Sequence, residues 1–265
     1  MSSLRSTIFE DMRRHIAYDK QRVDVKELER LAEETRRNRK PPDILKTLKS
    51  VRDRVPLIAE FKPASPTKIY RYYCEPIEAV SKMLEGGAAA ISVLTEPVYY
   101  RGSLYYLLKV SRTFNVSTLR KDLILEEFQI YEAVAAGASS YLLIADQFED
   151  PDRLEDLIQI GRSFDLEPFV EVNSIDDARI LGKTSARFIG INNGEGVERN
   201  LRKTKELSAE VSADFLVSES GIRDAEDIKF VMQYADGVLV GTAISEAKDI
   251  KTKVEELCKA LSETH

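Results

Sequence analysis

The chain has 265 residues, 43% of them hydrophobic and 32% charged, with a formal net charge of -6. That length accommodates one barrel of roughly 250 residues or two small domains, and the composition is that of an ordinary globular protein. The acidic balance excludes a general polyanion binder, because nucleic-acid modules carry a basic face.

Residues 1–48 read as an N-terminal helical extension. Ile8, Met12 and Ile16 recur at helical spacing, and Val25, Leu28 and Leu31 follow the same rule. The basic residues here (Arg13, Arg14, Arg36, Arg37, Arg39, Lys40) are interleaved with acids, the pattern of solvated helices and not of a nucleic-acid face. Arg36 to Pro42 reads as a charged connector, and a short helix (Ile44, Leu45, Leu48) follows Asp43.

From residue 49 to 265 a strict alternation takes over. Apolar strand-like runs stand at 57–61, 89–94, 116–120, 140–144, 168–172, 187–191, 214–218 and 237–240. Amphipathic segments lie between them, opened by Pro76, Ser103, Pro151, Ser174 and Asp224 and closed by Gly86, Gly137, Gly161 and Gly182. Only the segment near 200–210 is weakly marked. Strands alternating with helices pair in parallel, so the pattern predicts a single-domain (β/α)8 TIM barrel behind an N-terminal helical extension. An open doubly wound sheet is the second arrangement.

In such a barrel the chemistry sits where strands end. The first run, Leu57-Ile58-Ala59-Glu60-Phe61-Lys62, puts Glu60 and Lys62 on one face, since residues two apart in a strand share a side. Later tips add Lys121, Glu171, Asn192 and Glu219, a ring of Glu, Lys and Asn around one mouth. The only histidines are His15 and His265, so acid–base work near neutral pH falls to Lys, Glu and Asp with shifted pKa values. Cys74 and Cys258 lack metal-ligand spacing and suggest no disulfide framework. No apolar run approaches the roughly 18 residues of a membrane span, and no signal peptide is expected. A reducing cytoplasm is the expected compartment, with no nucleic-acid and no membrane partner.

Ser220-Gly221 after the seventh run and Gly241-Thr242 after the eighth place small residues where backbone N–H groups can approach an anion. With Ser65 and Lys62 in the first loop they favour a phosphorylated small-molecule substrate.

Together these segments resemble indole-3-glycerol phosphate synthase. The resemblance is carried by Ile-Ala-Glu-Phe-Lys-Pro-Ala-Ser-Pro (58–66), Ala-Ala-Ile-Ser-Val-Leu-Thr-Glu (89–96), Leu-Arg-Lys-Asp (119–122) and Gln-Ile-Tyr-Glu-Ala (129–133). It continues in Phe-Val-Glu-Val (169–172), Gly-Ile-Asn-Asn (190–193), Ser-Glu-Ser-Gly-Ile (218–222) and Val-Leu-Val-Gly-Thr (238–242). It implies ring closure, decarboxylation and dehydration of 1-(2-carboxyphenylamino)-1-deoxyribulose 5-phosphate in tryptophan biosynthesis, with no metal and no organic cofactor. Other enzymes of that pathway are the partners it suggests. It also implies residue roles. Lys121 acts as general acid on the substrate carbonyl, and Glu171 with Lys62 beside it serves dehydration. Glu60 steers the ribulose hydroxyls. Asn192, Ser220 and Glu219 hold the substrate, and Phe61 and Leu142 pack on its aromatic ring. Lys62, Ser65, Gly221, Gly241 and Thr242 grip the phosphate. The division of protons between Lys62 and Lys121 stays open.

Departures from the family pattern fall in two loops. After Gly-Ile-Asn-Asn the family continues Arg-Asp-Leu, whereas here Gly194-Glu195-Gly196 follows, which implies either weaker substrate affinity or compensation by another base such as Arg120. The first loop has Pro63 where a basic residue is common, and Ile69, Tyr70, Tyr72 and Tyr73 where a glycine is expected. That loop reads as a lid. A phosphoribosylanthranilate isomerase-like barrel and a non-catalytic phosphate-binding barrel are the competing readings. Cys74, beyond the first loop and not at a strand tip, disfavours the isomerase.

Overall fold

The central strands read as near-continuous apolar runs because both their faces are covered, as a parallel sheet requires. The computed structural model describes residues 3–70, 75–194 and 196–262. Tyr72, Tyr73, Cys74, Glu195 and His265 lie outside the described residues. Eight parallel strands follow one another around a closed barrel: β1 (Leu57–Phe61), β2 (Ala90–Leu94), β3 (Ser117–Lys121), β4 (Ser140–Ile144), β5 (Glu167–Val172), β6 (Phe188–Asn192), β7 (Phe215–Glu219) and β8 (Gly237–Val240). Closure is explicit, since β1 pairs with β8 through Leu57 opposite Val238 and with β2 through Glu60 opposite Ser92. The fold is the expected (β/α)8 barrel, and the open sheet is excluded.

Three helices precede the barrel, α1 (Ser3–Lys20), α2 (Val25–Asn38) and α3 (Ile44–Ser50). The rest are α4 (Pro76–Glu85), α5 (Leu104–Thr113), α6 (Glu127–Ala135), α7 (Pro151–Ser163), α8 (Ile175–Leu181), α9 (Arg202–Ser208), α10 (Ala225–Val231), α11 (Thr242–Ser245) and α12 (Ile250–Cys258). Side chains of Asp24, Asp43, Ser103, Asp150, Ser174, Asp224 and Asp249 accept first-turn amide hydrogen bonds and fix where their helices begin. The N-cap of α9, Leu201, offers no such side chain, which is why the sequence marks that helix weakly. Among the described residues no helix is long and apolar enough to cross a membrane.

Two details differ from the sequence reading. Arg36 belongs to α2, not to a connector; it is buried and donates to the Ala138 carbonyl at 3.3 Å, docking the extension on the barrel. Gly161 does not stop α7 but lies within it. A Cβ there would collide with the Tyr141 ring, whose hydroxyl donates to the Leu157 carbonyl at 2.5 Å.

Strand alternation sorts the core into two layers. Leu57, Ala59, Val93, Leu143, Val170 and Ile191 face outward into the helices. Ile58, Leu119, Leu142, Phe169, Phe188 and Phe215 fill the barrel. At the N-terminal ends of the strands α3 closes the barrel with Ile44, Leu45 and Leu48, and Thr47 Oγ1 lies 2.9 Å from Ser117 Oγ at the start of β3. Over the opposite end lies α1, which adds Ile8 and Met12 to the same core. It is tied to loops at the strand tips by an Arg5–Asp146 pair at 2.9 Å and by the Tyr99 hydroxyl donating to Asp11 at 2.7 Å.

Candidate active site

The inward positions that hold core side chains lower in the barrel hold charges at its mouth. Two residues beyond Ile58, Leu119, Phe169 and Val217 come Glu60, Lys121, Glu171 and Glu219. Lys121 Nζ donates to Glu219 Oε2 at 2.8 Å and to Glu171 Oε2 at 3.1 Å. Glu171 and Glu219 are buried, the latter 0% exposed, and the Lys121 side chain is 13% exposed. An uncompensated charge there would cost several kcal/mol, so the cluster persists only through mutual pairing.

The environment splits the three groups. Burial opposes the charge on Lys121, but Glu219, Glu171 and Glu60 outweigh it and raise the pKa, keeping the ammonium protonated. Burial likewise opposes ionisation of Glu171, yet Lys121, the Asn192 amide and the more distant Arg5 hold its carboxyl below the usual range. Glu219 goes the other way. Burial, aided by repulsion from Glu171 and Glu60 and resisted by Lys121, pushes it up to about 8. Two carboxylates beside one lysine therefore differ in character, the condition for separate acid and base roles.

Second-layer contacts fix these groups. Asn192 Nδ2 donates to Glu171 Oε1 at 2.9 Å, and Asn192 Oδ1 accepts from the Gly194 N–H at 2.8 Å. Ser92 Oγ donates to Glu60 Oε2 at 3.1 Å. Below the charges the Phe169 and Phe188 rings pack at a 50° tilt with centroids 4.7 Å apart, and Lys121 Nζ stands 6.0 Å over the Phe169 ring. Gly190 makes room for this layer, since a Cβ there would fall 2.6 Å from Glu219 Oε1 and collide with Phe169.

The expected anion seat lies at the tips of β7, β8 and β1. Lys62 is buried just past β1, with Nζ 3.3 Å from Thr242 Oγ1 at the start of α11. A Cβ on Gly241 would collide with the Glu60 carboxylate, so the β8 tip approaches β1 closely. Ser220 and Gly221 both have left-handed backbones, at φ 63° and 72°. Ser65 is buried in the first loop, in a small hairpin of Ala64–Ser65 with Lys68–Ile69. Lys68 of that hairpin pairs with Glu246, joining the loop to the segment after α11.

Of the sequence-selected residues, Glu60, Lys62, Lys121, Glu171, Asn192 and Glu219 gather at the mouth, with Ser65, Ser220, Gly221, Gly241 and Thr242 along one side. Leu142 faces inward from β4 within the barrel core. Phe61 does not face the mouth. It alternates with Glu60 and points into the helix layer, edge-on to Tyr106 of α5 at 5.9 Å.

Arg120 is no substitute base. It alternates with Lys121, lies buried on the outer face and is held by Glu132 at 3.0 Å and Asp122 at 3.1 Å. The arginine missing at 194 stands five positions later, in Arg199-Asn200-Leu201. The chain leaves the motif at Asn193 and returns when the Asn200 N–H donates to the Asn193 carbonyl at 2.7 Å. The likeness of Arg199-Asn200-Leu201 to the expected Arg-Asp-Leu was the available signal. Arg5 was also missed, because a helical surface arginine carries no mark of what its helix covers. Among the described residues no three His, Cys, Asp or Glu side chains could together hold a metal ion.

Solved structures with this architecture include 3-hexulose-6-phosphate synthase from Salmonella typhimurium, with a TM-score of 0.64, 15% identity and coverage of 79% of this chain and 99% of that one. The tryptophan synthase alpha chain from Legionella pneumophila has a TM-score of 0.59 at 14% identity, covering 82% of this chain and 95% of that one. Identities this low establish the fold alone. Sequence relatives go further. Indole-3-glycerol phosphate synthase from Carboxydothermus hydrogenoformans is 36% identical over 92% of this chain and 96% of its own. That from Aliarcobacter butzleri is 34% identical over 96% and 98%. The sequence profile described as indole-3-glycerol phosphate synthase matches residues 5–257, extension and barrel alike. With its lysine and glutamates assembled at the mouth of that barrel, the chain belongs to the indole-3-glycerol phosphate synthase family.

Proposed function

We propose that Lys121 is the general acid of this carboxy-lyase and that Glu171, with Lys62, carries the later dehydration. The observation that supports this reading is one ammonium held between two buried carboxylates of opposite character.

The enzyme closes the pyrrole ring of 1-(2-carboxyphenylamino)-1-deoxyribulose 5-phosphate and releases carbon dioxide and water to give indole-3-glycerol phosphate. As the carboxylate-bearing ring carbon attacks the ribulose carbonyl, its oxygen gains negative charge and becomes basic enough to take a proton from the Lys121 ammonium. The C–C bond to the carboxylate then breaks. Its electrons flow into the ring-closed iminium, which serves as the sink. Loss of the new hydroxyl as water needs one proton delivered and one removed. Glu171, kept ionised by Lys121 and Asn192, removes one proton, and the Lys62 ammonium beside the departing oxygen delivers the other. Glu60 orients the ribulose hydroxyls, and Asn192, Ser220 and Glu219 hold the substrate body. Lys62, Ser65, Gly221, Gly241 and Thr242 seat the phosphate, and Leu142 lies beneath the aromatic ring. The enzyme works in the cytoplasm on this small phosphorylated substrate, beside other tryptophan-pathway enzymes and without nucleic-acid or membrane partners.

Glu171→Gln tests the assignment. Quenched reactions analysed by mass spectrometry should accumulate a decarboxylated species one water heavier than the product. Accumulation of unreacted substrate alone would instead put Glu171 before ring closure.

A further inference from the structure

The turn after β7 is strained where a loop seldom needs to be. Ser220, which has a Cβ, sits at φ 63° and is followed by Gly221 at φ 72°. A Cβ on Gly221 would fall 2.8 Å from the Gly194 carbonyl oxygen, so that position admits only glycine. A non-glycine residue in this region persists only where its surroundings over-determine it, and such strain concentrates at functional sites.

Two side chains from the β6 loop supply that constraint. Asn193 is wholly buried; its Nδ2 donates to Ser218 Oγ at 2.9 Å, to the Glu219 carbonyl at 3.0 Å and to the Ser220 carbonyl at 3.3 Å. Arg199 donates from Nε to the Gly221 carbonyl at 2.6 Å, while its other arm pairs with Asp227 in the first turn of α10. The second oxygen of Asp227 accepts from the Arg223 N–H at 2.8 Å, so one carboxylate ties the arginine to the far end of the same turn.

Peptide units are planar, and those described here are trans, so each carbonyl points opposite to the N–H of the same unit. Pinning the Ser220 carbonyl on Asn193 aims the Gly221 N–H the other way. Pinning the Gly221 carbonyl on Arg199 does the same for the Ile222 N–H. From this we infer that Arg199, anchored by Asp227, is a positioning residue that holds two successive backbone N–H groups on the substrate phosphate without touching it. The inference rests on the reading of the β7 and β8 tips as the phosphate seat.

The test measures inorganic phosphate as a competitive inhibitor, along with KM, kcat and Tm, in wild type, Arg199→Ala, Arg199→Lys and Asp227→Ala. Arg199→Ala and Asp227→Ala should each raise the phosphate inhibition constant and KM about tenfold, the size of one lost hydrogen bond. Turnover at saturation should change far less. Arg199→Lys should behave like alanine, because an ammonium cannot span both acceptors. An inhibition constant that rises in Arg199→Ala but stays level or falls in Asp227→Ala would mean that the guanidinium grips the anion directly, which overturns the inference. A lower Tm with unchanged phosphate inhibition in both alanine variants would reduce the pair to scaffolding and overturn it too. Wild type indifferent to inorganic phosphate would remove the seat itself, and the brace with it.

Discussion

Lys121 Nζ stands 2.8 Å from Glu219 Oε2, while the other oxygen of that carboxylate, Oε1, is buried with no hydrogen-bond partner among the described residues. A group so placed binds its proton more tightly folded than unfolded, which fits its upward shift to about 8. Stability is then lost as pH rises from the unfolded value near ~4.3 towards the folded one. Lys121 is shifted in the sense that keeps its contribution intact below about 10.4, so it adds no slope in this window. Glu219→Gln should therefore gain thermal stability relative to wild type as pH goes from 5 to 8. Melting curves at both pH values decide the matter; a gap in Tm that does not change with pH would contradict the proposed protonation of Glu219.

Arg5 reaches the mouth from α1, pairs with Asp146 at 2.9 Å and lowers the pKa of Glu171 through space. Both partners are partly solvated, so the pair itself should contribute under about 1 kcal/mol to stability. Arg5→Ala is expected to leave Tm nearly unchanged while moving the acidic limb of the kcat/KM profile upward, since Arg5 helps hold the Glu171 carboxyl down. An unmoved limb would detach α1 from the electrostatics of the site.

Gly190 faces the aromatic layer and the Glu219 carboxylate. Adding one methyl forces Phe169 or Glu219 to shift, and overpacking of this kind costs about 1–3 kcal/mol. Gly190→Ala should melt earlier and lose most activity, because Glu219 and Phe169 both touch Lys121's surroundings. Wild-type values for both would mean that the barrel interior is looser than its packing indicates.

The Thr242 hydroxyl lies 3.3 Å from Lys62 Nζ. Thr242→Val keeps the shape and removes that partner, so KM should rise by about tenfold, one hydrogen bond's worth, with a smaller change in kcat. A fall in kcat at constant KM would move Thr242 from substrate binding to chemistry.

Much of this architecture could be read directly because its causes are local. Strand tips were legible from the two-residue alternation that sets Lys121 beyond Leu119 and Glu171 beyond Phe169. Helix starts were legible at Ser103, Ser174 and Asp224, whose side chains cap, whereas the helix capped by Asp249 went unmarked. Phe61 was placed on the substrate ring by the resemblance alone, and the alternation argues against it: adjacent to Glu60, it must face the other way. Gly161 looked like a stop because glycine usually is one, yet what demands it is the Tyr141 ring from a different element. Arg199 stayed hidden because its return to Asn193 is a tertiary closure, and sequence spacing alone reports a gap.

Lys121 on its own carries the central claim, since the buried carboxylates are arranged around its charge. The direct measurement supplies the carboxyphenylamino-deoxyribulose phosphate to wild type and Lys121→Ala and follows indole fluorescence. Wild type should form product and the variant should turn over at least about a hundredfold more slowly, the loss expected when a positioned proton donor is removed. Equal turnover by the two proteins would show that the proton comes from elsewhere and that the cluster at the barrel mouth has been misread.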